Sequence, residues 1–321
     1  MRTDIMGESD LDLVVASRQK LADRVIELIL TDRTGQELPH WDAGAHIDLT
    51  LGSGLTRQYS LCGDPSDRSC YRIGVLQELE SRGGSKYIHE QLMTGVCVRA
   101  GASRNHFPLQ QAPNYLFVGG GIGITPLIPM IASAERAGAD WRLIYGGRTR
   151  ASMAFVDELQ LRYSDRVVIC PPDESGLLDL AAILADPCEG RLVYCCGPEA
   201  LLSAVEARCV AWPSGSLHIE RFAPRVTNPA LPDNAFEVEL SESRKTLYVP
   251  AGQSVLDVLL EAGVDVLCAC SQGTCGTCET VVLQGEIDHR DSVLTPEERA
   301  THTSMMICVS RAASPRIVLK L

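Results

Sequence analysis

The chain is short of aromatic residues, which make up 5% of its 321 positions, and short of positive charge: 29 Lys and Arg face 41 Asp and Glu, a net charge of −12. Without a basic stripe to displace phosphate counterions, nucleic acid is excluded as a partner, and docking on anionic lipid is disfavoured for the same reason. Long hydrophobic runs are scarce too. One stretch, Tyr115 to Ala132, carries no charge over eighteen residues, but three consecutive glycines and two prolines break it into strand, turn and helix rather than a membrane span. The opening MRTDIMGESDLD places acids where a signal peptide needs an apolar core. No long-period repeat or low-complexity tract is visible. What is plentiful is cysteine. Thirteen cysteines without an export signal read as thiols of a reducing, cytoplasmic compartment. The length, with 45% hydrophobic and 22% charged residues, predicts two or three globular domains.

Four of the cysteines have a spacing of their own. Cys270, Cys275 and Cys278 form C-x4-C-x2-C, and Cys308 follows thirty residues later, the plant-type arrangement of a [2Fe–2S] cluster. Gly273 and Gly276 fall between the ligands, where a tight loop must turn N–H groups toward sulfur. Structural zinc usually takes two close cysteine pairs, which three thiols in one loop plus one distant thiol do not supply. Cys268 reads as a bystander, and other cysteines such as Cys62, Cys70 and Cys209 as small buried residues.

Upstream, two rhythms succeed one another. From about Leu11 to Phe107, short alternating segments broken by Gly and Asp-Pro predict an antiparallel β-barrel or sandwich. From Tyr115 the pattern becomes strand–turn–helix, which predicts a parallel sheet with helices on both faces. In that scheme LLDLAAILAD is one helix, and Pro126 starts another. APRVTNPALPD, with three prolines, is a stiff linker. The predicted domains are 8–110, 111–222 and 234–321, with 223–233 between the last two.

In the barrel, Arg57 and Tyr59 share a strand face, with Ser60 on the other side or at the strand end; an arginine for phosphate and a tyrosine for a ring suit a flavin nucleotide. Arg82-Gly83-Gly84-Ser85 opens a helix, capped by Ser85, whose free N–H groups make an anion site. Gly119 to Pro126, GGGIGITP, is a glycine turn for a pyrophosphate, although Thr125-Pro126 stands where the dinucleotide fingerprint has its third glycine. Cys196-Gly197-Pro198 ends another strand and points into the same crevice.

RQYSL, RGGS, GGGIGITP and YCCGP, followed by the four cysteines, resemble the phthalate dioxygenase reductase family over nearly the whole chain. The resemblance implies a flavin barrel, an α/β nicotinamide-nucleotide domain and a C-terminal β-grasp ferredoxin domain. It implies a reductase that passes electrons from NADH through FMN and a [2Fe–2S] cluster to a separate terminal oxygenase of Rieske type. By position, Arg57 would lie near the FMN phosphate, Tyr59 against the isoalloxazine and Ser60 near its reactive nitrogen, with Gly83, Gly84 and Ser85 as the phosphate loop. Gly120, Gly121, Gly123 and Thr125 match the loop that meets the nicotinamide nucleotide, and Cys196 and Gly197 lie near its ring. Phe222 resembles the aromatic beside the flavin, with core packing as the alternative. Arg148 and Arg150 leave NADPH open beside NADH. A cytochrome P450 or other acceptor is the nearest alternative partner, and a flavin and iron–sulfur redox sensor the alternative from another class. The chain is expected to act as a monomer.

From Asn234 onward, seven Lys and Arg stand against twelve Asp and Glu. Glu279, Glu286, Asp288, Asp291, Glu297 and Glu298 crowd the region after the cysteine loop and predict an acidic docking face for a basic acceptor. His289 reads as part of a solvated turn.

Overall fold

A computed structural model describes residues 11–52, 54–81, 83–224 and 233–321. Arg82 and residues 8–10 and 225–232, which include most of the expected linker, lie outside these. The chain divides into two units, Met1–Glu220 and Arg221–Leu321.

The N-terminal unit begins with β1 (Leu11–Ala22) and β2 (Val25–Asp32), joined by a tight turn in which Arg24 takes a left-handed φ of 61°. Then come β3 (His46–Thr50), β4 (Thr56–Ser60), β5 (Tyr71–Leu76), α1 (Gly84–Gln91) and β6 (Cys97–Ala100). The sheet order β4-β3-β6-β1-β2-β5 is antiparallel throughout, and a bridge between Leu61 and Ile73 joins its two ends into a barrel. Alternation explains the interior: Leu13 and Val15, Leu28 and Leu30, Ile47 and Leu49 each point two by two into one core. Helix α1 adds Ile88 to that core. Its cap departs from expectation. Gly83 is the N-cap, at φ 94°, while Ser85 turns its hydroxyl to Ser81 and to the backbone N–H of Glu78. Only glycine accepts that φ without strain, so the turn rather than a hydroxyl fixes the helix start.

The parallel sheet follows: β7 (Asn114–Gly120), α2 (Leu127–Arg136), β8 (Asp140–Gly146), α3 (Val156–Tyr163), β9 (Val167–Cys170), α4 (Pro172–Ser175), α5 (Leu180–Ile183), β10 (Arg191–Cys196), α6 (Glu199–Arg208) and β11 (Leu217–Glu220). Strand order is β11-β10-β7-β8-β9. Phe117 faces a core shared with α2, α3 and the barrel residues Val25 and Phe107, while Leu116 and Val118 face α6. That shared core is why barrel and sheet form one unit. Pro126 is the N-cap of α2 rather than its first residue, because a single 3₁₀ turn, Gly121–Ile124, takes up the chain before it. LLDLAAILAD is helical only at α5: Asp179 caps Ala182 and delays the start, and Pro187 stands just beyond.

In the C-terminal unit, β12 (Phe236–Leu240) and β13 (Lys245–Val249) form a hairpin, and α7 (Val255–Glu261) opens with a Ser254–Asp257 capping box. Next come β14 (Glu279–Gln284), β15 (Ile287–Asp288), α8 (Pro296–Thr301), β16 (Ser304–Met306), β17 (Arg311–Ala312) and β18 (Arg316–Leu319). The sheet runs β13-β12-β18-β14-β16, with β12 and β18 parallel, and α7 buries Val255, Leu256 and Leu259 in the core that also holds Cys278 and Cys308. This is the expected β-grasp arrangement. Among the described residues no helix is long and apolar enough to cross a membrane.

Candidate functional site

Two of the sequence motifs meet at the barrel rim. Arg57 lies on β4 and its side chain crosses Gly84 at the start of α1: a Cβ on Gly84 would stand 2.6 Å from Arg57 Cγ and 2.7 Å from Nε. Glycine at 84 is therefore the cradle for the arginine. Tyr59 is half-buried against the barrel core, and burial raises its phenol above the usual tyrosine range. Ser60, the last residue of β4, is buried opposite His46. A guanidinium beside a helix N-terminus, with a tyrosine ring two residues along the strand, fits a flavin nucleotide's phosphate and ring.

A second convergence lies where the parallel strands end. β7 and β10 are neighbours, pairing Gly119 with Cys196, so the glycine turn and the Cys196-Gly197-Pro198 turn are pressed together. A Cβ on Gly197 would lie 2.9 Å from the Cα of Gly120, and one on Gly123 only 2.4 Å from the Cys196 carbonyl oxygen. Gly121 takes φ 55°. Thr125 is buried; its hydroxyl donates to the Ile122 carbonyl at 2.9 Å and its methyl faces Gly74 of β5. Thr125 thus braces the turn and sets it against the barrel. The backbone cradle fits a pyrophosphate at the carboxyl edge of the sheet.

Cys196 is fully buried, and burial first, then the nearby Glu220 carboxylate, holds its thiol well above the usual range. Glu220, missed in the sequence, pairs with Cys196 in the parallel register of β10 and β11, with Sγ 3.9 Å from Oε2. The residue keeps part of its surface open, yet its carboxyl end packs against Cys196, and burial pushes it up to about 8. The only sequence signal was its place at the end of the strand after YCCGP. Phe222 follows, exposed and counted with the C-terminal unit. Arg150 is engaged: its backbone N–H donates to Asp173 at 3.1 Å and its guanidinium to Gln160 at 3.1 Å.

The cysteine loop gathers all four expected thiols. Cys270 contacts Cys275 and Cys308, and Cys278 contacts Cys308; these hydrogen bonds lower the accepting thiols of Cys270 and Cys278 and raise the donating thiols of Cys275 and Cys308. Backbone N–H groups of Gln272 and Thr277 donate to Cys270 and Cys275 sulfurs at 3.3 and 3.4 Å. Gly273 and Gly276 take φ of 67° and 69°, as does Ser271 at 52°. Among the described residues no three His, Cys, Asp or Glu side chains are placed to hold a metal ion; the sulfur contacts run in a chain, Cys275 to Cys270 to Cys308 to Cys278. Four converging thiols with amides aimed at sulfur fit an iron–sulfur cluster. Cys268 is exposed.

Behind this loop the expectations need correcting. His289 is not solvated: its side chain is 6% exposed, 3.7 Å from an Asp291 carboxylate oxygen that is wholly buried. Asp291 also accepts from the Val293 and Leu294 N–H groups, and Arg299 holds its carbonyl. Its Cα would lie 3.0 Å from a Cβ on Gly273, so the acid buttresses the cysteine loop. Asp288 is also drawn inward, to Arg290. The acidic face therefore loses two of its six members, and Glu279, Glu286, Glu297 and Glu298 remain exposed.

Comparison with known proteins agrees with this geometry. A family described as the 2Fe-2S iron-sulfur cluster binding domain matches residues 238–313. The phenoxybenzoate dioxygenase subunit beta of Ectopseudomonas oleovorans is 44% identical over 302 residues, covering 94% of each chain. The phthalate dioxygenase reductase of Burkholderia cepacia is 38% identical over 97% of both chains. A crystal structure of phthalate dioxygenase reductase superposes with a TM-score of 0.72 at 37% identity, covering 97% of this chain and 98% of that one. An intact type IV self-sufficient cytochrome P450 monooxygenase superposes at 0.92 with 42% identity over 100% of this chain, which spans 43% of that longer protein. The matched family binds a 2Fe-2S cluster, and the phthalate dioxygenase reductase structure is described as one for electron transfer from pyridine nucleotides to [2Fe–2S]. The chain belongs to the phthalate dioxygenase reductase-like family of electron-transfer oxidoreductases.

Proposed function

We propose that this chain is the reductase component of an oxygenase system, taking electrons from NADH and delivering them to a separate, Rieske-type terminal oxygenase. The observation that carries this reading is the joining of the flavin-strand, glycine-turn and four-cysteine motifs in one chain that relatives of oxygenase reductases match end to end. When bound, flavin and cluster together supply the conversion of a two-electron donor into one-electron deliveries. The residues do the rest. Arg57 and the amides at Gly83, Gly84 and Ser85 hold the flavin phosphate, and Tyr59 covers its ring. Gly120, Gly121, Gly123 and Gly197 let the nucleotide lie close to backbone, with Thr125 holding the turn. Ser60, Cys196 and Glu220 line the approach of nicotinamide to flavin. Cys270, Cys275, Cys278 and Cys308 ligate the cluster. We assign the flavin part to 8–110, the nucleotide part to 111–222 and the ferredoxin part to 234–321, in a cytoplasmic monomer.

A cytochrome P450 acceptor is the second reading, favoured by the full-length match within a self-sufficient P450. The test uses purified protein. Wild type is expected to show flavin and cluster bands and to sustain NADH turnover with a Rieske oxygenase as acceptor. Cys270→Ser is expected to lose the cluster bands and oxygenase turnover while NADH still bleaches the flavin. A variant that keeps its cluster overturns the ligand assignment; turnover with a P450 alone moves the acceptor to the second reading; no turnover with any acceptor leaves a sensor.

A further inference from the structure

Within the N-terminal unit, one side chain on the barrel grips the parallel-sheet half. Arg72 of β5 donates to Glu27 of β2 at 2.5 Å, and its two terminal nitrogens meet the two oxygens of Glu158 on α3 at 3.0 and 2.6 Å. Its guanidinium carbon lies 4.9 Å from the centre of the Phe155 ring. The arginine is 21% exposed and Glu27 11%. Two carboxylates gathered on one half-buried cation are more than a surface ion pair needs.

Phe155 adds a second observation. It is a buried aromatic residue held in the left-handed region, φ 63° and ψ 8°, where a non-glycine residue stays only when its surroundings over-determine it. Its ring occupies the space over Gly74, where a Cβ would meet Thr125 at 3.0 Å, the Phe155 ring at 3.3 Å and Ile122 at 3.4 Å. One residue before it, the Ala154 carbonyl lies 3.1 Å from the Tyr145 hydroxyl, which also stands 3.0 Å from the Gly121 carbonyl. The contacts run unbroken from the barrel strand through Arg72, Phe155 and Tyr145 to the glycine turn.

We infer that the clamp of Arg72, Glu158 and Phe155 sets the position of the Gly120–Thr125 turn over the flavin barrel, making Arg72 a positioning residue for the approach of nicotinamide to flavin. The inference rests on the flavin and nicotinamide reading above and adds the device that aligns the two halves. Arg72→Lys keeps the charge but loses the two-pronged grip and the flat stacking surface. Glu158→Gln keeps the shape and loses the charge, at a site 39% exposed where folding tolerates the change.

The experiment measures both variants against wild type in full-length protein with flavin and cluster content determined. Flavin reduction at saturating NADH is expected to slow about ten- to hundredfold, the cost of misplacing reactants by about an ångström. Flavin content and the apparent Kd for NADH stay unchanged. In flavin-free protein, the shifts that the two substitutions make in the urea midpoint of the N-terminal unit are non-additive when combined in one double variant, as for two residues of one clamp. Wild-type reduction rates in both variants, or slowing only in proportion to lost flavin, overturn the inference. If wild type binds no flavin, the functional reading fails instead, and the unfolding arm alone decides: strictly additive midpoint shifts in the double variant refute the clamp.

Discussion

Replacing Glu220 by Gln is expected to flatten the pH dependence of stability of the N-terminal unit. The Glu220 carboxyl has a pKa of 4.5 in the unfolded chain and is pushed up to about 8 in the fold, chiefly by burial beside Cys196. Folded protein therefore keeps a proton that the unfolded chain releases. Stability from this group is complete below pH 4.5 and is lost progressively as pH rises to about 8. At about 1.4 kcal/mol for each tenfold change in proton affinity, the ceiling is about 5 kcal/mol. Because the residue is not fully shielded from water, the realised loss is about 1–3 kcal/mol. Urea unfolding of flavin-free, full-length protein followed by tryptophan fluorescence measures it, since Trp41, Trp141 and Trp212 all lie in the N-terminal unit and no tryptophan lies in the other. Glu220→Gln should be more stable than wild type by about 1–3 kcal/mol at pH 8.5 and close to it at pH 5. Other titrating groups are common to both proteins and cancel. A difference that stays constant between these pH values would refute the buried-carboxyl argument.

Gly84→Ala puts a methyl group 2.6 Å from Arg57 Cγ, which can swing away; fluorescence titration should show FMN binding weakened about tenfold, with the melting temperature nearly unchanged. Gly123→Ala meets backbone instead, 2.4 Å from the Cys196 carbonyl oxygen, and should cost about 1–3 kcal/mol in urea unfolding. Asp291→Ala leaves the Val293 and Leu294 N–H groups without their buried acceptor and removes the carboxylate paired with Arg299, which keeps only its bond to the residue 291 carbonyl, a loss of about 3–5 kcal/mol confined to the C-terminal unit. Bleaching of cluster absorbance in urea should then occur at lower concentration, while the tryptophan transition stays in place.

Two local patterns were legible in the sequence: β1 follows from its alternation, and β2 and the main strands of the parallel sheet from apolar runs that are buried on both faces. So was the cysteine loop, because ligand spacing is a local property. What escaped was set by local backbone conformation in one case and by partners distant in the chain in the others. Ser85 looks like a helix cap, but the left-handed Gly83 starts the helix, and the hydroxyl goes to Ser81. His289 and Asp291 look like a charged surface turn until β15, α8 and the cysteine loop close around them. Glu220 has no motif at all; its environment is made by a neighbouring parallel strand, and only register places it beside Cys196. In the last two cases burial of a polar group by tertiary packing overrode the usual exposure of that residue type.

The contact between Gly120 and Gly197 also sets limits on redesign. A methyl group on Gly197 would stand 2.9 Å from the Cα of Gly120, and one on Gly120 would meet the side chains of Leu201 and Pro198 at 2.7 and 2.8 Å, so neither glycine can be exchanged without moving the facing turn or the start of α6. Altering which nicotinamide nucleotide is accepted is therefore expected to begin away from the glycines, around Arg148 and Arg150, which follow β8, and Asp173, which accepts from the Arg150 N–H. The core of the crevice behaves as a fixed mount, and its rim is where new selectivity can be installed.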